Sequence, residues 1–352
     1  MELPSRYVHD AGGSGGGMGD IFYCRDTHLN RKVVVKMLKA GGDDRRLLDE
    51  QLALTKIRSK HVVQLYDIIH VTKNGVTENA LVLEYIEGVD LKMESYAPDQ
   101  TYLKVLWQIA CGLSEIHKHG IIHRDIKPQN IRKDEDGIIK ILDFGLARSE
   151  GIGAQTQNVI GTVGYMAPEL WKTSDISFDQ AIDVYAFGVM ALTFLSTDVP
   201  RVLLERPPKP LPPNALDGRH AGVPAAVLAL IEGCLQYDPK QRPPIEEVEN
   251  VLRRHLLSGQ HRGLIVLGDK NHEITTAAPS AIAKAGNKGS LGIHYDGLSF
   301  RISSLSGTVA INNTQMKVGD ELPFCCVIAF GDEMKEKRDF ATLDVSNPEV
   351  MP

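Results

Sequence analysis

Two spacings of apolar residues alternate along the first 256 positions. From Thr101 to His119, Leu103, Leu106, Ala110, Leu113 and Ile116 recur in steps of three and four, the mark of an amphipathic helix. Gly120 follows where a helix favours a C-terminal glycine. A second helix is expected from about Asp44 to Arg58, with Leu48, Leu52 and Ile57 near helical spacing. Val33-Val34-Val35 reads instead as a buried β-strand ending in Lys36, and Ala80–Gly88 as a strand entering a turn. The most apolar run, around Val184 to Leu195, is shorter than the roughly 20 residues that span a bilayer. Pro200–Pro213 reads as a loop.

Beyond Leu257 the pattern changes. Ser258 to Ala285 has weak periodicity and reads as a linker or as first strands. From Ser290, five short apolar segments alternate with Gly and Asn: 298–302, 308–311, 316–318, 324–330 and 340–345. Such spacing predicts a small β-sandwich or barrel. Cys325 and Cys326 would then point to opposite faces of one strand.

The chain's chemistry concentrates in His123-Arg124-Asp125-Ile126-Lys127-Pro128-Gln129-Asn130, with Asp143-Phe144-Gly145 close behind. Two carboxylates and an amide oxygen suit a hard divalent cation. A lysine beside them offsets phosphate charge. An Asp within reach of a hydroxyl can take its proton. A glycine-rich run, Ala11 to Ile21, admits phosphate oxygens to backbone N–H groups without a Cβ in the way.

These segments, with Ala167-Pro168-Glu169, occur in the order of the protein kinase signature set. Over about residues 1–256 the chain resembles a eukaryotic-type protein kinase, nearest the bacterial serine/threonine branch. The resemblance implies a bilobal fold over that part; with the strand pattern beyond it, the chain reads as α+β, the bilobal fold followed by a small all-β domain. A β-rich N-lobe would occupy about 1–86 and a helical C-lobe 87–256. Residues 257–289 would be linker or first strands, and 290–352 the sandwich-like domain. The family assigns proton acceptance to Asp125 and charge stabilisation to Lys127. Metal ligation falls to Asn130 and Asp143, and nucleotide positioning to Lys36 held by Glu50. Asp49 adjoins Glu50, so the choice between them is counted back from Val62-Val63-Gln64.

The same resemblance puts Ser14, Gly16 and Gly19 at the three glycine positions of the phosphate loop, the first being Ser here. Ile21 and Val34 would roof the adenine, Leu83 would guard the back of its pocket, and the backbone of Glu84 and Ile86 would bond the base. Thr162 matches the threonine that bonds the catalytic Asp. Thr156 matches a phosphorylation site, and Arg124 the cation to engage it. Asp183 would tie down the catalytic loop, and Arg242 would pair with Glu169. The implied substrates are ATP with Mg²⁺ or Mn²⁺ and protein Ser/Thr hydroxyls, Tyr not being excluded.

The runner-up is a catalytically weak kinase-like scaffold whose C-terminal β module does the binding. Gly307–Asn313 and Val318–Leu322 are faintly similar to forkhead-associated domains, which would imply a phosphoprotein or other protein partner. Composition narrows the rest. A net charge of −6 over 352 residues leaves no basic footprint for nucleic acid. Five scattered cysteines without a CxxC pair suggest a reducing compartment rather than zinc or a disulfide framework. No basic-then-apolar leader opens the sequence, so a cytoplasmic protein with no membrane partner is expected.

Overall fold

The computed structural model describes residues 2–15, 19–38, 44–73, 75–149, 163–171, 179–196, 199–217, 220–332, 334, 337–346 and 348–350. Two compact units divide the chain, residues 1–252 and 253–351.

The first unit opens on an antiparallel sheet of β1 (Tyr7–Gly15), β2 (Gly19–Asp26), β3 (Arg31–Leu38), β4 (Leu65–Lys73) and β5 (Val76–Glu84), ordered β1-β2-β3-β5-β4. Strand alternation sorts β3 into two faces. Val33, Val35 and Met37 enter a core with Tyr7, Cys24, Ile69, Val71, Ala80 and Val82. Val34 and Lys36 take the other face, and both line a cleft. Lys36 lies within the strand rather than at its end, because β3 continues to Leu38. Helix α1 (Asp44–Lys56) supplies Glu50.

A three-stranded sheet follows, ordered β6 (Gly88–Asp90), β8 (Ile131–Asp134), β9 (Ile139–Ile141), together with the pair β7 (Ile121–Ile122) and β10 (Arg148–Ser149). Helix α2 (Gln100–Lys118) begins at Asp99, whose carboxylate accepts from Thr101 N at 2.8 Å and Tyr102 N at 3.1 Å. It ends before Gly120 at φ +66°, a left-handed conformation suited to glycine. Helix α3 (Ala181–Leu195) is buried from Ile182 to Phe194, so its apolar run has no polar stripe. The short α4 (Arg201–Leu204), α5 (Ala225–Cys234) and α6 (Ile245–Leu256) complete the helical part. This is the β-rich and helical pairing of the protein-kinase fold.

Residues 253–351 are all β beyond the end of α6. One sheet runs β12 (Lys270–Ile274), β11 (Gly263–Leu267), β18 (Asp339–Val345), β17 (Cys325–Phe330), β16 (Val309–Ile311). The other runs β13 (Ser280–Ala285), β14 (Gly289–Tyr295), β15 (Phe300–Gly307). Every pairing in both sheets is antiparallel. Inward residues of both, among them Ile265, Leu291, Ile293, Ile302, Ile328 and Leu343, form one core. Cys326 is buried there and Cys325 is exposed, as strand alternation requires. The 316–318 segment is not a strand: Lys317 N donates to Asp320 Oδ2 at 3.0 Å, and Gly319 adopts φ +95°, closing a turn.

Candidate active site

The catalytic-type loop is held by what surrounds it. Asp183, on the first turn of α3, accepts from the backbone of His123 at 2.8 Å and of Arg124 at 2.8 Å. His117 Nε2 is 2.9 Å from the same carboxylate. Burial alone would push the Asp183 carboxyl up, but these partners outweigh it and hold it below the usual carboxylate range. The anchoring matters because Arg124 has φ +70° and Asp143 φ +60°, conformations that cost non-glycine residues energy and persist only where neighbours fix them. His123 fixes the second: its Nε2 lies 2.9 Å from Leu142 O, and its ring meets Phe144 edge-on at 4.8 Å.

Within this frame the charged side chains converge. Lys36 Nζ donates to Glu50 Oε1 at 2.8 Å and Oε2 at 2.7 Å, and to Asp143 Oδ1 at 2.9 Å. Burial disfavours the Lys36 ammonium, yet the two carboxylates overcome that and raise its pKa. Burial likewise works to raise Asp143, but the Lys36 charge and hydrogen bond leave it below its ordinary range. Lys127 Nζ donates to Asp125 Oδ2 at 2.7 Å. Asn130 Nδ2 donates to Asp125 O at 2.8 Å and Asp125 Oδ2 at 2.9 Å. Both amide hydrogens of Asn130 are thereby committed, which turns its carbonyl oxygen into the end available to a cation. With the Asp143 carboxylate, that oxygen makes a hard-donor set fit for a divalent ion.

One cleft of about 380 Å³ collects most of these groups, with Asp125 held at its edge by Lys127 and Asn130 rather than among its lining residues. Lys36, Glu50, Lys127, Asn130 and Asp143 line it, as do Ile21, Val34, Leu83, Glu84 and Ile86. Glu84 is braced by Lys140, whose Nζ lies 2.8 Å from its Oε1. Ser14 lies on β1 opposite Ile21 of β2, and Gly19 opens β2. Gly16, Thr156 and Thr162 fall outside the described residues. Away from the cleft, Arg242 grips Glu169 through two bonds of 2.6 and 2.8 Å. The cleft also holds Tyr23, Val63, Gln129, Leu142 and Arg132, which sequence reading did not single out. Arg132 had no local signal, because Asn130 ends a helical turn and β8 starts only at Ile131.

The fold, the anchored loop and the cleft are those of a protein kinase. The protein kinase domain family matches residues 12–252, and the chain belongs to it. Members of this family act on proteins, with ATP and a divalent metal. Among similar proteins, a serine/threonine-protein kinase of Corynebacterium efficiens is 37% identical over 193 residues, 51% of this chain and 37% of that protein. A probable serine/threonine-protein kinase of Clostridium acetobutylicum is 30% identical over 278 residues, 72% of this chain and 41% of the relative. A cyclin-dependent kinase-like protein of mouse is 29% identical over 271 residues, 65% of this chain and 47% of the relative. The chain thus spans about half or less of the length of these relatives. Among the described residues, no helix is long and apolar enough to cross a membrane.

Proposed function

We propose that this chain transfers the γ-phosphoryl group of ATP to Ser or Thr hydroxyls of proteins, with Tyr a further acceptor to be tested. The observation that supports the reading is a pair of networks, Lys36 with Glu50 and Asp143, and Asp125 with Lys127 and Asn130, whose members other than Asp125 line one cleft. Asp125 takes the proton of the acceptor hydroxyl as its oxygen bonds to phosphorus and the bond to the β,γ-bridging oxygen breaks, releasing ADP. Lys127 offsets charge on the moving group, and Lys36, fixed by Glu50, orients the α- and β-phosphates. Asn130 and Asp143 would hold magnesium, which supplies charge neutralisation on the phosphates. Because the transition state is loose, positioning and charge stabilisation carry most of the catalysis.

A scaffold that had abandoned catalysis would be free to lose Lys36, Asp125 or Asp143, and all three are present. Thr156 is proposed as an autophosphorylation site that Arg124 engages, and Thr162 as a partner of Asp125. For residues 253–351 the proposal is recognition of a protein partner, a phosphoprotein if the forkhead-associated likeness is functional. The proposed compartment is the cytoplasm, on the strength of the odd, scattered cysteine count.

The test is incubation of the full chain with Mg-ATP labelled at the γ-phosphate, with a generic protein substrate, followed by phosphosite mapping. Label on Ser or Thr, lost in Asp125→Ala, is expected. Nucleotide binding without any transfer would overturn the reading. Absence of phosphate at Thr156 in an otherwise active enzyme would remove the autophosphorylation proposal.

A further inference from the structure

The outer face of the five-stranded sheet in residues 253–351 carries apolar side chains that its core does not use. In β11, β18 and β17 alternate residues enter that core, among them Ile265, Leu343, Cys326 and Ile328. Alternation sends Leu264, Val266, Val327 and Phe340 the other way. Leu264 is 43% exposed, Val327 46% and Phe340 56%, while Val266 is half-buried. Strand register makes them neighbours. Leu264, Asp344 and Cys325 form one row across the three strands, Val266, Thr342 and Val327 form the next, and Phe340 opens a third. Single apolar residues on a surface are ordinary, whereas a contiguous group of them marks a contact site.

Geometry selects the occupant. β18 is already hydrogen-bonded to β11 on one side and β17 on the other, so an added strand finds no free edge at the centre of the patch. Three strands about 4.8 Å apart make a band about 10 Å wide, the width of one α-helix. From Phe340 to Asp344 the patch runs about 14 Å, which about three helical turns cover. Charge then selects the helix. Asp344 is exposed in the row between Leu264 and Cys325, and among the described residues no group bonds its carboxylate. Arg262, just before β11, is engaged instead by Glu273 of β12 at 3.8 Å. A second copy seated face to face would use the same patch twice and bring like carboxylates into one apolar contact. A lysine or arginine on a different partner would neutralise Asp344 instead.

We propose that this face docks an amphipathic helix of a protein partner, its apolar residues laid over β11, β18 and β17 and a lysine or arginine set against Asp344. The proposal deepens the recognition role proposed for residues 253–351 and assigns it to a surface that needs no phosphate on the partner.

The experiment is a fluorescence anisotropy titration of the full chain against three labelled peptides. One is a leucine–lysine sequence of about 14 residues patterned as an amphipathic helix, the second replaces lysine by glutamate, and the third adds one phosphothreonine to the first. The lysine peptide should bind the parent about tenfold tighter than the glutamate peptide. Val327→Thr combined with Phe340→Thr should weaken it about tenfold, and because both sites are exposed and threonine suits a strand, the urea midpoint should stay where it is. Asp344→Lys should reverse the preference between the two charges. Equal binding of the two peptides, unchanged affinity in the double variant, or no binding of the lysine peptide overturns the proposal. So does a concentration-dependent dimer of the parent that the double variant abolishes. If the phosphothreonine peptide alone binds, and binds parent and double variant equally, phosphoprotein recognition survives and this face is excluded. Lysine-peptide binding lost in the double variant, with phosphate making no difference, supports the face and removes the phosphoprotein option.

Discussion

His61 shows how one side chain can set a pH limit on the molecule. It is buried beside Trp107, with ring centroids 6.3 Å apart, and its Nδ1 sits 3.0 Å from Ile139 O. That carbonyl makes Nδ1 the protonated nitrogen, and Nε2 is buried without a partner. Burial pushes the imidazole pKa down to about 4, the Ile139 carbonyl restoring only part of the loss. The folded pKa is therefore below the unfolded one, near 6.5, and between the two the unfolded chain binds more protons. Stability from this group is complete above pH 6.5 and lost as pH falls toward 4, with a ceiling of about 3 kcal/mol. Urea midpoints taken from pH 7.5 down to 4.5 should fall, and should fall less in His61→Asn. Equal slopes in the two proteins would show that His61 is not the group responsible. None of this was readable from an isolated His between Lys60 and Val62, because it depends on Trp107 and Ile139, which lie far along the chain.

At the scale of elements, the segments that close the helical part are tied by side chains rather than by backbone ladders. Arg242 is the clearest tie. Besides its two bonds to Glu169, it donates to Gln236 O at 2.8 Å and Ala181 O at 2.8 Å, and its guanidinium lies 4.9 Å from the Tyr185 ring centroid. Three stretches of chain, around Glu169, α3 and Gln236, meet at one planar cation. Arg242→Lys keeps the charge but cannot satisfy the fork, so a loss of about 1–3 kcal/mol is expected from denaturant midpoints. A variant as stable as the parent would reduce this pair to ornament.

Helix α2 makes the opposite kind of contact, where a side chain is missing. A Cβ on Gly112 would lie 2.8 Å from Ile141 Cδ1 and 3.0 Å from His61 O. Ala favours helix over Gly by about 1 kcal/mol, yet Gly112→Ala should still destabilise, by about 1–2 kcal/mol, because Ile141 is buried and the carbonyl is backbone. A rise in melting temperature would refute the close approach. The periodicity of 101–119 revealed α2 itself. It could not reveal which gap in the helix its neighbours needed.

For the whole molecule, the organising fact is two compact units. The sandwich of 253–351 closes around its own buried residues, among them Phe330 and Ile328 at 0% exposure, while α2 and α3 belong to the other unit. Phe330→Ala removes a large fully buried side chain and should cost about 3–5 kcal/mol within that unit. In calorimetry the full chain should show two transitions, with only one lowered by this substitution. A single transition moving as a whole would contradict independent cores. The strands β11 to β13 that complete this unit were only half legible. These strands are five or six residues long, too short to show much periodicity, and β12 is largely exposed with one buried residue, Ile274.

What the sequence determined by itself was the chemistry. Asp125, Lys127 and Asn130 lie within one short stretch, so local spacing alone set them on one loop, and the order of the segments pointed to the family. Tertiary structure decided which of these groups touch and what else shares their cleft. Glu50 reaches Lys36 only because α1 turns it there, and Lys36 reaches Asp143 across 107 positions. Arg132 enters the cleft only because β8 pairs with β6. Spacing along a chain specifies which side of an element a residue occupies, and only the folded arrangement of elements specifies what that side faces.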